Sequence, residues 1–338
     1  MRAFEAVSVD TAYIGGEKFF TSEKDVIASL NGTIRFEDYK TEEEIIEGCK
    51  DSEIVLCCGN PPMNENVLRN ISSKLIIRNG IGVNSVDLEA ATRLGKIVCN
   101  TPGYCTEELA MHTTGLILAC LRNIGFYNNA VKSGEWPKGK GSSPRRLSGM
   151  TVGLFGFGSS ARMIAEVFAK GFHSRVIAYD PYVDCAAVSG GMVEGVDLDT
   201  LLRESDVLSI HVHLTEETAH FFNAATFQKM KEGAILINIS RGGIVAEDDL
   251  IDALKSGKLR GAGLDVLEYE PVAKDSPLLA MDQVVLTPHS AFYGEEADEN
   301  SHRIVSDLIR NYCAGCMPVR YVANRGIVGK LEGFRFEN

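Results

Sequence analysis

Thr151-Val-Gly-Leu-Phe-Gly156-Phe-Gly158-Ser159-Ser160-Ala161 is the stretch on which the reading of the fold turns. An apolar run of strand length leads into GxGxxA, and a helical pattern follows. In such a strand–turn–helix Gly156 allows the tight turn, and Gly158 lets the backbone approach a pyrophosphate. Ala161 stands where a third glycine packs helix against strand. The amides of Ser159 and Ser160 would face phosphate oxygens from a helix N-terminus. Asp180 closes the next strand-like run, 22 residues after Gly158. A carboxylate there accepts from a ribose 2′-hydroxyl and repels a 2′-phosphate, so the unit predicts NAD in preference to NADP. Read alone, Asp180-Pro181 would be no more than the start of a turn.

Outward from this motif the pattern is α/β. Thr151–Phe155, Arg175–Tyr179, Val207–Ile210, Ile235–Ile237, Gly261–Leu264 and Val284–Leu286 read as buried strands. Helical segments such as Ala246–Lys255 lie between most of them. A similar series occupies the first hundred residues: strands at Phe4–Val9, Ile54–Cys57, Leu75–Ile77 and Ile97–Cys99. Its helices fall at Ser22–Leu30 (capped by Ser22), Glu42–Cys49 and Asn64–Asn70. Strands alternating with helices mean parallel sheets. Between the two series, Thr106–Lys132 reads as one long proline-free helix, and Lys132–Ser148 reads as a loop rich in Gly, Ser and basic residues. A last helix spans about Gly294–Ala314.

At roughly 150 residues per domain, 338 residues predict two domains. The hydrophobic content of 45% and charged content of 24% exclude a disordered or collagen-like chain. A net charge of −12 repels nucleic acid and anionic lipid over most of the surface, so neither is expected as a partner. The most apolar run, Gly115–Leu121, is far short of the roughly 20 residues a spanning helix needs. The start, Met1-Arg2-Ala3-Phe4-Glu5, lacks the shape of a signal peptide, and nine cysteines fit a reducing compartment. A cytoplasmic protein is the expectation. Cys313-Ala-Gly-Cys316 is a lone CxxC without a second pair, so no metal site is expected.

Three polar residues follow strand-like runs in the second series: Arg241 after Ala234–Ser240, Glu270 after Gly261–Leu267, and His289 after Val284–Pro288. An open α/β sheet places its ligands at such C-terminal strand ends. An arginine offers a two-point fork for a carboxylate. A histidine passes a proton at neutral pH, and a glutamate beside it favours the protonated form. Together they suit reduction of a 2-keto acid by a nicotinamide. Each also has a plain structural reading, as an Arg in a strand turn, a Glu before Pro271 and a His after Pro288.

Several segments resemble the NAD-dependent D-isomer-specific 2-hydroxyacid dehydrogenases. They are Leu236-Ile-Asn-Ile-Ser-Arg241-Gly-Gly-Ile-Val, Gly263-Leu-Asp-Val-Leu-Glu-Tyr-Glu270-Pro, Leu286-Thr-Pro-His289, Arg78-Asn-Gly-Ile-Gly-Val-Asn-Ser-Val-Asp87 and Asn100-Thr-Pro-Gly. The resemblance covers roughly residues 50–325. Within the family, Thr287-Pro-His-Ser-Ala-Phe-Tyr-Gly-Glu-Glu-Ala297 and Val322-Ala-Asn324 are similar to the C-terminal-binding-protein-like branch.

The resemblance implies that Arg241 clamps the substrate carboxylate, that His289 is the acid/base and that Glu270 orients it and favours its protonated form. Backbone amides at Ile81 and Gly82 complete the carboxylate site. Asp265 faces the nicotinamide carboxamide, and Thr113, Val212, His213, Thr218, Ile239 and Ser240 line the cofactor. Phe292 and Tyr293 border the substrate pocket, with Tyr13, Asn60-Pro61-Pro62 and Tyr104 nearby. Ser160, His213 and Asn84 depart from the residues common at their positions.

The implied fold is two doubly wound domains. A Rossmann NAD-binding domain (101–289) is inserted in a discontinuous flavodoxin-like substrate domain (1–100 and 290–338). A homodimer formed through the NAD domains is also implied, and with roughly 24 residues past the last helix no regulatory domain is expected. Formate dehydrogenase is disfavoured because that relative carries Gln where Glu270 stands. The alternative to an active dehydrogenase is an NAD(H)-sensing binding protein, as the corepressors of the same branch are.

Overall fold

A computed structural model describes residues 3–337. The chain divides into two compact units. One holds the residues up to Tyr104 together with those from Gly294 onward, and the other is Cys105–Tyr293.

The first unit contains β1 (Phe4–Ser8), α1 (Thr21–Ser29), β2 (Gly32–Phe36), α2 (Glu42–Cys49), β3 (Ile54–Cys57), α3 (Glu65–Asn70), β4 (Leu75–Arg78), α4 (Leu88–Arg93) and β5 (Ile97–Asn100). The strands pair in parallel in the order β2-β1-β3-β4-β5, which is the flavodoxin-like order. β2 was not among the expected strands. Its Thr33 and Arg35 interrupt any apolar run, and pairing with β1 at the sheet edge decides it.

Asn64 caps α3 through its side chain, and Thr41 caps α2 in a capping box with Glu44. The expected Ser22 cap on α1 is corrected: the helix starts one residue earlier, after Phe20, with no side-chain cap.

The second unit contains α5 (Thr106–Leu121), α6 (Ile124–Lys132), β6 (Thr151–Phe155), α7 (Ser159–Glu166), β7 (Arg175–Tyr179), α8 (Cys185–Val188), β8 (Glu194–Gly195) and α9 (Leu198–Glu204). It continues with β9 (Val207–Ile210), α10 (Ala224–Lys229), β10 (Ala234–Asn238), α11 (Glu247–Lys255), β11 (Leu259–Leu264) and β12 (Val284–Leu286). Seven parallel strands run in the order β12-β11-β10-β9-β6-β7-β8. The strand order reverses between β6 and β9, which makes that gap the topological switch point of a Rossmann sheet.

The single long helix expected over Thr106–Lys132 is two helices bent by 69°. Asn123 takes a left-handed backbone (φ 53) at the break, a conformation asparagine tolerates better than most residues. Its amide then donates to the Ser142 carbonyl at 2.8 Å and fastens the following loop. α5 buries Leu116, Ile117, Cys120 and Leu121 in one core with Val152, Leu154, Ile235 and Ile237. Each such side chain is worth about 1.5–3 kcal/mol on burial.

The chain returns to the first unit as α12 (Glu295–Cys313), followed by a small pair, β13 (Cys316–Pro318) and β14 (Arg335–Glu337). Ile304, Val305, Leu308 and Ile309 of α12 join the core formed by Ile54, Leu56, Leu75 and Ile77. The Asn324 side chain accepts from the Val98 amide at 2.9 Å and donates to the Lys96 carbonyl at 2.9 Å, so the C-terminal segment is bonded along β5. All nine cysteines are free thiols. Among the described residues no group of three His, Cys, Asp or Glu could hold a metal, and no single helix is long and apolar enough to cross a membrane.

Candidate active site

The glycine loop lies at the C-terminal end of β6, on the switch point. Gly156 has φ +93, and a Cβ there would stand 2.7 Å from the His211 carbonyl oxygen, so only glycine fits. Gly158 caps α7 with its backbone, and around its Cβ position no protein atom lies within 4 Å. A phosphate can therefore approach that backbone and meet the N-terminal amides of α7 at Ser159 and Ser160.

Asp180 ends β7. Its carboxylate accepts from the Phe157 amide at 2.8 Å and from the Tyr182 amide at 2.9 Å. It thus starts a turn and ties the glycine loop down at the same time. An ionised carboxylate has about four acceptor sites, so capacity remains for ribose hydroxyls. These residues fit a dinucleotide.

The remaining cofactor expectations divide. Val212 and His213 follow β9 at the switch point, and His213 is held below its ordinary range by desolvation and then by the Arg241 guanidinium. Thr218 gives its hydroxyl to the His213 carbonyl at 2.7 Å, which shapes that turn. Ser240 bonds the Ile210 carbonyl at 2.9 Å, bridging the ends of β9 and β10 beside the buried Ile239.

Two of the residues that the resemblance gives to the cofactor are buried. Thr113 donates its hydroxyl to the Leu109 carbonyl one turn back at 2.7 Å. The Asp265 side chain takes the Thr287 hydroxyl at 2.6 Å and the amides of Ser290 and Ala291 at 2.8 and 2.9 Å. The loop beyond β12 folds back over it.

The expected trio gathers at the same edge of the sheet. His289 Nδ1 lies 2.8 Å from a Glu270 oxygen. The other Glu270 oxygen accepts from the Leu267 amide at 3.1 Å. Burial alone would push the Glu270 carboxyl up. The His289 hydrogen bond and charge, the Leu267 amide and Arg241 outweigh it and hold the carboxyl below its usual range. Arg241 follows β10, and Asn238 fixes its backbone by donating to its carbonyl at 2.9 Å. Gly242 comes next against the Leu267 backbone, where a Cβ would collide with the Leu267 carbonyl. The arginine and glutamate loops are therefore packed backbone to backbone.

His289 itself has φ 52 and donates its amide to the Asp265 carbonyl at 2.8 Å. A left-handed histidine is an uncommon conformation and marks an over-determined position. His112 and Thr287 also belong to this site and escaped the sequence reading. His112 sits beside Thr113 on a largely apolar helix with no local mark, and only the fold carries it to Thr287, 2.9 Å away. Ile81 and Gly82 lie in the other unit, in the turn after β4. There the Asn100 side chain donates to the Ile81 carbonyl at 2.7 Å and leaves the amides of that turn outside the bond.

A sheet that reverses its strand order beside a glycine loop is where a doubly wound fold takes a dinucleotide, and here a His–Glu pair and an arginine stand at the same edge. A family profile described as D-isomer specific 2-hydroxyacid dehydrogenase, NAD binding domain, matches residues 114–291. The chain is 38% identical over 285 residues to a D-3-phosphoglycerate dehydrogenase of Archaeoglobus fulgidus, covering 84% of this chain and 54% of that one. It is 41% identical over 238 residues to a hydroxypyruvate reductase of Thermotoga maritima, covering 70% and 75%. The structure of a glyoxylate reductase from Paecilomyes thermophila superposes with a TM-score of 0.83 at 26% identity, covering 93% and 96%. The chain belongs to the D-isomer specific 2-hydroxyacid dehydrogenase family, and Cys105–Tyr293 contains its NAD-binding domain. It spans about half the length of the phosphoglycerate dehydrogenase it matches.

Proposed function

We propose that the protein interconverts a 2-keto acid and a D-2-hydroxy acid with NAD(H). The observation that carries this reading is the 2.8 Å contact between His289 and Glu270 beside Arg241, on the sheet edge that also holds the glycine loop. Bound NADH supplies the hydride that reaches the keto carbon. Arg241 holds the substrate carboxylate by its two-point fork and polarises the keto oxygen. His289, with Nδ1 occupied by Glu270, keeps Nε2 for the substrate and gives its proton to the oxygen as the carbonyl becomes an alcohol; in oxidation it takes that proton back. Glu270 fixes the ring and balances the imidazolium charge. Ile81 and Gly82 remain assigned to the carboxylate on the strength of the resemblance.

The test is NADH oxidation with glyoxylate, pyruvate, hydroxypyruvate, phosphohydroxypyruvate and bulkier 2-keto acids. Turnover of at least one that is lost in His289→Ala supports the reading. Tight NADH binding with no turnover of any would point to the NAD-sensing alternative.

A homodimer is part of the same proposal. Met111 (67% exposed) on α5, Ile124 and Val131 on α6, and Trp136 (80% exposed) in the following loop leave apolar surface where the resemblance places the pairing helix. Sedimentation at micromolar concentration reads the oligomeric state, and a monomer overturns it.

A further inference from the structure

His112 begins a chain of hydrogen bonds that runs through Thr287 to Asp265, and the direction of each bond is determined. Asp265 is enclosed by donors. Burial would raise its carboxyl, but His112, the Thr287 hydroxyl and the amides of Ser290 and Ala291 hold it below the usual range, so it is an ionised, acceptor-only group. Thr287 must then donate its one hydroxyl hydrogen to Asp265, across 2.6 Å. The same oxygen lies 2.9 Å from His112 Nε2 and has only lone pairs left, so His112 must be the donor there, with its hydrogen on Nε2. His112 Nε2 is also 3.4 Å from the Asp265 carboxylate.

What this chain holds is the segment that carries His289. Asp265 receives the amides of Ser290 and Ala291 on its side chain and that of His289 on its carbonyl. Thr287, two residues before His289, is caught from the other side. The left-handed backbone of His289 is thereby pinned on both flanks, and α5, through His112, is the outer end of the clamp. A mere core histidine would need a partner, but it would have no reason to end on the loop of the acid/base.

We propose that His112 is a positioning residue: through Thr287 and Asp265 it holds His289 at hydrogen-bond distance from Glu270. The inference rests on His289 being the acid/base of the reaction proposed above. A misplacement of about 1 Å in a reacting group costs up to about a hundredfold in rate. His112→Ala should therefore lower kcat about ten- to a hundredfold while NADH affinity and substrate KM change less than threefold. His112→Gln, which keeps an N–H donor, should recover most of the loss.

The second readout is independent of turnover. In proton NMR of the whole protein, the low-field Nδ1–H signal of His289 on Glu270, identified by its absence in His289→Ala, should broaden or vanish in His112→Ala and return in His112→Gln. Should His112→Ala fail to fold, Thr287→Val removes the middle of the chain and should give the same signature. Wild-type kcat with an unchanged low-field signal in His112→Ala, or failure of His112→Gln to recover either readout, would overturn the assignment. If the wild-type protein turns over no keto acid, the proposed reaction fails, and the low-field signal still decides the role of His112.

Discussion

Phe157 donates its backbone amide to the Asp180 carboxylate at 2.8 Å, so the glycine loop and the end of the neighbouring strand form one piece. Asp180 shapes the glycine loop, and the proposed NAD site gives it the ribose as well. Loss of a hydrogen bond to a charged group costs about 1.5–3 kcal/mol, or roughly ten- to a hundredfold in affinity. Asp180→Ala should weaken NADH by that order. NADPH should weaken less, because repulsion of its 2′-phosphate is relieved. Nucleotide fluorescence titrations measure both, and equal affinities in the unmutated protein would sink this assignment.

His289→Ala leaves protonation of the keto oxygen to water. General acid catalysis is typically worth about 10²–10⁴-fold, and kcat should fall by that order while NADH still binds, since no nucleotide-binding residue is touched. Steady-state kinetics beside a binding titration separate the two effects, and unchanged turnover would show that another group supplies the proton.

Glu270→Gln keeps a hydrogen-bond acceptor near His289 Nδ1, 2.8 Å away in the native pair, but removes its charge. The glutamine no longer balances the positive charge on the ring, so kcat for reduction should fall about tenfold or more while NADH affinity is unchanged. Arg241→Lys should act on substrate binding instead, raising KM about ten- to a hundredfold, because an ammonium replaces a planar fork. Steady-state kinetics beside a binding titration read both variants, and an unchanged kcat in Glu270→Gln argues against the charge role.

His302 and the fully buried Glu23 join α12 to α1 across 2.9 Å, with the Phe19 ring 4.3 Å from the imidazole. Its hydrogen bond to Glu23 raises the His302 pKa above the ordinary 6.5; burial opposes this, and the charges of Glu23 and Asp298 add to it. A raised folded value means that the pair's stabilisation is fully present below about pH 6.5 and is lost as pH climbs through the folded value. Unfolding free energy should thus decline on the alkaline side of 6.5, and His302→Gln should flatten that decline. His302→Ala leaves Glu23 buried without its cation and should cost about 3–5 kcal/mol. Urea melts at several pH values are the measurement. A wild-type stability that rises with pH through this window contradicts the pairing.

The glycine loop and most strands of both sheets were legible in the sequence, because each rests on a local rule, whereas Arg241, Glu270 and His289 showed only as polar groups after strand-like runs and took their expected roles from the resemblance. Apolar runs of strand length make buried parallel strands, Gly156 is demanded by a positive φ and a carbonyl within 2.7 Å, and functional groups follow strand ends. Three features depended on contacts between residues far apart in the chain. β2 became a strand through its ladder to β1. The break at Asn123 needed a left-handed residue and a bond to Ser142, which helical composition does not announce. Thr287, Ser290 and Ala291 all donate to the Asp265 carboxylate, and His112 reaches that network from α5. The sequence by itself determined the elements and the chemical groups at their ends. Which donors gather on a buried carboxylate was decided only in the tertiary structure, because a buried charge takes whatever donors the fold brings to it.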